Sequence, residues 1–179
     1  TSGVEVDFVL KGGAGDDTVR LLSGFDGKGD SVDGGAGENT IALYGGNLAV
    51  GSLTKFQHLE VRDQDPTAAV KVDTSLLPDL VDIVVRNEGH DGNGAPQAAV
   101  STIFLSNLTA DVAKNITVEH GTTGNNGVDD LTVVATLKTD TANDTVAVKI
   151  VDAVNIDPRF NFTLETAGVE NITIADDDT

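Results

Sequence analysis

From residue 47 onward, apolar and polar positions alternate in short words: Val70-Lys71-Val72, Val81-Asp82-Ile83, Thr102-Ile103-Phe104-Leu105, Ile116-Thr117-Val118, Leu131-Thr132-Val133, Val146-Ala147-Val148-Lys149-Ile150, Phe160-Asn161-Phe162-Thr163-Leu164 and Ile172-Thr173-Ile174. A period of two in β-branched residues predicts strands with one face turned to a core. Helical spacing is confined to residues 76–80 and 108–114, and Pro78 limits the first of these to a turn.

A longer period runs through the strands. Phe56-Gln57-His58-Leu59-Glu60-Val61 aligns with Ala113-Lys114-Asn115-Ile116-Thr117-Val118 and again with Val169-Glu170-Asn171-Ile172-Thr173-Ile174, at offsets of 57 and 56 residues. Similarity at a fixed period marks stacked units that cannot bury their apolar face alone. The units would end near residues 62, 119 and 175. The expected fold is all-β, with short strands stacked as in a β-roll or β-solenoid; a β-sandwich of similar strands is the alternative.

Residues 1–46 have a different texture from 47–179, holding over half the glycine in a quarter of the length. Gly12-Gly13-Ala14-Gly15-Asp16-Asp17-Thr18-Val19-Arg20 matches the nonapeptide G-G-x-G-x-D-x-U-x in full. Gly34-Gly35-Ala36-Gly37-Glu38-Asn39-Thr40-Ile41-Ala42 is a second copy with Asn39 at the acid position, and Gly27-Lys28-Gly29-Asp30-Ser31-Val32-Asp33 is a third, one residue short. Glycines let a turn take positive φ and let carbonyl oxygens converge. A carboxylate at the sixth position then completes an all-oxygen cage of the kind Ca²⁺ prefers. The candidate ligands are Gly13, Gly15, Asp16, Asp17, Asp26, Gly29, Asp30, Asp33 and Asn39, with Asp17 and Asp30 foremost. Val19, Val32 and Ile41 would point inward from the short strands that follow. Plain Gly-Asp turns without a metal are the alternative.

These words resemble the calcium-binding β-roll of repeat-in-toxin proteins over residues 12–42. The match departs from the pattern in its spacing: like-sided turns of a β-roll stand 18 residues apart, whereas Asp17 and Asn39 are separated by 22. Residues 23–26 would bulge to absorb the difference, so one or two Ca²⁺ ions are expected instead of a long ladder. The remaining chain, with Gly51-Ser52-Leu53-Thr54-Lys55-Phe56 leading into its first repeat unit, is similar in style to surface-layer proteins of the Caulobacter type and to related large adhesins. That resemblance implies type I secretion, folding outside the cell on meeting calcium, and a place at the bacterial cell surface. It also implies assembly of copies into a lattice or fibre, with a cell-surface polysaccharide as a further partner.

Charge sharpens the exclusions. The 179 residues hold 29 acidic and 11 basic side chains, a net charge of −18. Such a surface repels nucleic-acid phosphates and anionic membranes. With 39% hydrophobic residues and a mean hydropathy of −0.04 the chain is too apolar for a solvated acidic tail. Cysteine is absent, which excludes disulfide scaffolds and thiol catalysis. No apolar run approaches ~20 residues, so no membrane insertion is expected. The opening at Thr1 and the close after Asp176-Asp177-Asp178 read as a processed or excised segment.

Catalytic words are missing. The Gly-rich stretch lacks the G-K-[ST] of a phosphate loop, and neither H-E-x-x-H nor G-x-S-x-G occurs. Of the three histidines, His58 occupies the same repeat position as Asn115 and Asn171, a structural strand-entry place, while His90 sits in a Gly-rich loop and His120 just before Gly121, so a non-enzymatic role is expected. The oxygen-rich segment 87–94 reads as a turn in preference to a second cation loop, and it is where an adhesin would hold a ligand. A calcium-stabilised accessory domain of a secreted enzyme is the third reading. The five N-x-T words, at Asn107, Asn115, Asn143, Asn161 and Asn171, read as solvated strand faces in preference to glycosylation sites.

Overall fold

The structure, a computed structural model, describes residues 9–22, 28–48, 51–63, 69–87, 100–120, 129–152 and 160–177. Fourteen strands follow one another in this part of the chain: β1 Val9–Lys11, β2 Thr18–Leu22, β3 Ser31–Asp33, β4 Thr40–Tyr44, β5 Ser52–Thr54, β6 His58–Asp63, β7 Val70–Asp73, β8 Asp82–Asn87, β9 Val100–Leu108, β10 Ile116–His120, β11 Asp129–Leu137, β12 Thr145–Asp152, β13 Phe160–Thr166 and β14 Asn171–Asp177. Among the described residues there is no α-helix; Thr74–Leu76 and Val112–Lys114 are 3-10 turns. The protein is all-β. The alternating words foreseen from the sequence lie in strands, save Val81, which stands just before β8.

Among the described residues every strand pairing is parallel, and every sheet neighbour is two strands away in the chain. The even-numbered strands form one seven-stranded sheet in the order β14-β12-β10-β8-β6-β4-β2. The odd-numbered strands form two smaller sheets, β13-β11-β9-β7 and β1-β3-β5. Successive strands therefore alternate between sheets, and the return to a parallel neighbour is made by a strand of the other sheet where a helix would usually serve. The seven-stranded sheet continues across residue 46, where β4 pairs with β6 from Thr40↔His58 to Tyr44↔Arg62.

The inward faces build one core. Ile41, Leu59, Ile83, Ile116 and Val148 share a register column and are at most 2% exposed. Leu43, Val61, Val85 and Val118 form the next column. Val72, Ile103, Leu105, Leu131 and Val133 of the odd strands join them in the same apolar cluster. Each fully buried aliphatic side chain contributes about 1.5–3 kcal/mol, so short strands suffice when rungs are stacked. At the C-terminal edge the column opens: Ile174, opposite Val148, is 52% exposed.

The repeat read from the sequence maps onto this ladder with one displacement. Leu59 and Ile116 stand in one column through Ile83, as their alignment implied. Ile172, aligned with them in sequence, instead pairs with Val146, and Ile174 takes the column position. A slip of two residues keeps the same face inward, so alternation alone does not detect it.

The outer face of the large sheet carries charge. Tyr44 lies between the guanidinium groups of Arg20 and Arg62, at 5.9 Å and 5.0 Å from the ring centroid. Glu60 pairs with Arg62, and Glu119 with Arg86.

Candidate functional site

The glycine words form one corner of the stack. The chain passes from β1 to β2 through residues 12–17, from β3 to β4 through 34–39, and from β5 to β6 through 55–57. The first turn lies against the second through a parallel bridge, Ala14↔Ala36, and through Gly12 N–H to the Asp33 carbonyl (2.7 Å), Gly15 N–H to the Ala36 carbonyl (2.8 Å) and Ala36 N–H to the Gly13 carbonyl (2.9 Å). The second turn continues to the third through Gly34 N–H to the Thr54 carbonyl at 2.9 Å.

Glycine is required by this closeness. A Cβ on Gly12 would overlap the carbonyl oxygen of Gly34, and Gly35 combines a φ of +88° with an equally close approach to the Gly13 carbonyl. The third turn contains no glycine. There Lys55 takes the left-handed conformation, φ 61°, which costs an L residue about 1–2 kcal/mol. Contacts at both ends of the residue hold it: Nζ reaches Asp33 Oδ2 at 3.0 Å and the backbone N–H donates to Asp79 Oδ2 at 2.8 Å.

The sixth position of the nonapeptide becomes a column. Thr18, Thr40 and His58 are ladder partners, so the residues before them, Asp17, Asn39 and Gln57, stand one above another. Asp17 N–H donates to Asn39 Oδ1 at 2.9 Å, and Asn39 N–H donates to Gln57 Oε1 at 2.9 Å. The Asn39 amide nitrogen donates to the carbonyls of Lys55 (3.0 Å) and Gly37 (3.3 Å). Asn39 is wholly buried. The acids of the first turn bind backbone donors instead: Asp17 Oδ2 accepts from Gly13 N–H at 3.1 Å, and Asp16 Oδ1 from Glu38 N–H at 2.9 Å.

The other predicted ligands are distributed around β3. Gly29 and Asp30 precede that strand and Asp33 is its last residue, so the length of the strand separates them. Asp30 is buried. Asp33 opens the second turn, where its Oδ1 accepts the Gly35 N–H at 2.9 Å. That hydrogen bond, with the Lys55 ammonium second, holds its carboxyl below the usual range. Asp26 lies outside the described residues, as do residues 88–94 of the oxygen-rich segment.

Among the described residues no three His, Asp or Glu side chains converge as a metal-ligand group. A cation at this corner would draw on main-chain carbonyls as well as carboxylates. In the first turn Asp17 Oδ2 and Asp16 Oδ1 accept one backbone N–H each and the Gly13 carbonyl accepts the Ala36 N–H; carboxylate and carbonyl oxygens are the donor type a hard cation takes. The second turn does not fit one. The carbonyls of Gly37 and Lys55 already accept protons from Asn39, and an N–H donor occupies the place a cation would take.

Sequence reading missed the residues that complete the corner. Gln57, Lys55 and Asp79 carry no motif. A signal for Gln57 existed in its separation of 18 residues from Asn39, one β-roll period. His58, at the strand-entry place its repeat position implies, opens β6 with Nδ1 2.8 Å from Asp82 Oδ2 and Nε2 3.5 Å from Glu38 Oε2. No helix of the described residues is long and apolar enough to cross a membrane. No protein-family model, curated protein or solved structure matches this chain.

Proposed function

We propose that this chain is a non-enzymatic, calcium-stabilised structural module, wound as a β-roll that passes into a β-solenoid, which assembles with copies of itself into an extracellular layer or fibre at a bacterial cell surface. The observation that carries the reading is the stacking of two glycine turns, residues 12–17 on 34–39, with Asp16 and Asp17 at the exposed end of the column. Resemblance to repeat-in-toxin turns supplies the cation, and the −18 charge supplies the switch. Where calcium is scarce, self-repulsion opposes the compact state; where it is plentiful, binding free energy becomes folding free energy. An ion present at 100 times its Kd stabilises the fold by about 2.7 kcal/mol.

Assembly is supported by the ends of the stack. Val9 and Leu22 near one end, and Ile172 and Ile174 on β14, are each at least half exposed, and an edge strand offers unpaired backbone groups to another chain. The test is circular dichroism and sedimentation of the whole chain in millimolar calcium and in excess chelator. A fold that gains stability with calcium, and a sedimentation coefficient that rises with protein concentration, are expected. Equal stability in chelator overturns the calcium switch, and a monomer at high concentration in calcium overturns self-assembly.

A further inference from the structure

We propose that Asn39 is a built-in replacement for a cation, so that the interval between the second and third turns closes without metal and calcium dependence is confined to the first. Three contacts carry the assignment. The Asn39 amide nitrogen donates to Lys55 O and Gly37 O, the amide oxygen accepts from Asp17 N–H, and the residue is fully buried. One side chain thus performs both tasks a calcium–aspartate pair would divide. Its oxygen receives the N–H of the rung on one side, and its protons neutralise the carbonyl dipoles that a cation would otherwise draw together. Gln57 repeats half of this arrangement by accepting the Asn39 N–H, and the column then passes to Val81, whose side chain is apolar.

A buried carboxylate in place of the amide would face two carbonyl oxygens with nothing between them. That arrangement is costly unless a cation enters. The variant Asn39→Asp, nearly identical in shape, therefore converts the metal-free interval into one that requires calcium. The inference draws its wider meaning from the calcium reading of the first turn, but its own test is independent.

Unfolding of the full chain is followed in chelator and in millimolar calcium, with bound ions counted by titration calorimetry. In chelator, Asn39→Asp is expected to lower the folding equilibrium constant at least about tenfold relative to the parent chain. In calcium it recovers, with one more ion bound. Asn39→Ala, which removes the contacts without adding a charge, loses stability equally in both conditions. Stability unchanged by Asn39→Asp in chelator overturns the proposal, as does a loss that calcium fails to restore. If Asn39→Asp is unfolded in chelator, refolding on addition of calcium supports the proposal and persistent unfolding overturns it. A parent chain indifferent to calcium, combined with an Asn39→Asp variant that needs it, overturns the calcium function while leaving the role of Asn39 standing.

Discussion

Asp144 illustrates how single acids are held in this chain. It is 7% exposed, and its carboxylate accepts from the Thr141 hydroxyl at 2.7 Å and the Thr141 N–H at 2.5 Å. Those bonds, the hydroxyl first, hold its carboxyl below the ordinary 3.8. Asp73 is lowered in the same way by Ser75 and Asn107. A depressed folded pKa means a contribution complete above the unfolded value and lost as the pH falls through the folded one. Thermal stability should therefore decline as the pH drops below about 4, and Asp144→Asn should flatten that decline while lowering stability at pH 7. Melting curves between pH 2 and 7 check this; an unchanged acid limb in the variant contradicts it. Neither anchor was visible in the sequence, where Thr141 and Ser75 are ordinary turn residues.

Strands differ in what they stabilise according to their place in the ladder. Ile83 sits in the middle of its column, completely buried, whereas among the described residues Ile174 has a ladder neighbour on one side only. Ile83→Ala should cost about 2–5 kcal/mol, and Ile174→Ala less than about 1 kcal/mol in the monomer, since a half-exposed site leaves no closed cavity. Chemical denaturation at low protein concentration measures both. Comparable losses would mean that β14 is covered even in the single chain. Charged contacts follow the same logic across strands. Arg86 Nε lies 3.0 Å from Glu60 Oε1 without the alignment of a hydrogen bond, while its other arm pairs with Glu119 on β10, so β6, β8 and β10 share one alternating row. The alternating words made the strands legible because a half-buried strand needs one apolar face. Pairing was not legible: register steps of 22, 18, 24 and 33 residues follow from loops whose lengths carry no apolar pattern.

For the whole molecule the dominant quantity is a charge of −18 on 179 residues. The lysines of ion pairs such as Lys55–Asp33 and Lys149–Asp177 are already counted in that sum, so the −18 is excess acid with no basic partner in the chain. Without calcium, the folded chain should gain stability as monovalent salt rises from about 10 to 150 mM, because the screening length falls from about 30 to 8 Å and self-repulsion weakens. A melting temperature in chelator that is flat or falls with salt would remove repulsion as the basis of the switch. An excess of calcium should shrink this salt effect, since bound ions lower the charge that salt screens.

By itself the sequence determined the class of structure: alternation dictated strands, the glycine words dictated tight turns, and the acidic balance argued against polyanionic partners. The positions of Asp16, Asp17 and Asn39 in a turn were also legible, because glycine spacing constrains the backbone locally. Tertiary structure decided what those positions do. Whether a sixth-position side chain faces carbonyls, another amide or solvent depends on the rung stacked against it, and that rung comes from residues 18 or 22 positions away. The sequence marked Asn39 as a weakened ligand. Only the neighbouring Lys55 and Gly37 carbonyls turned its amide into the group that closes the second turn.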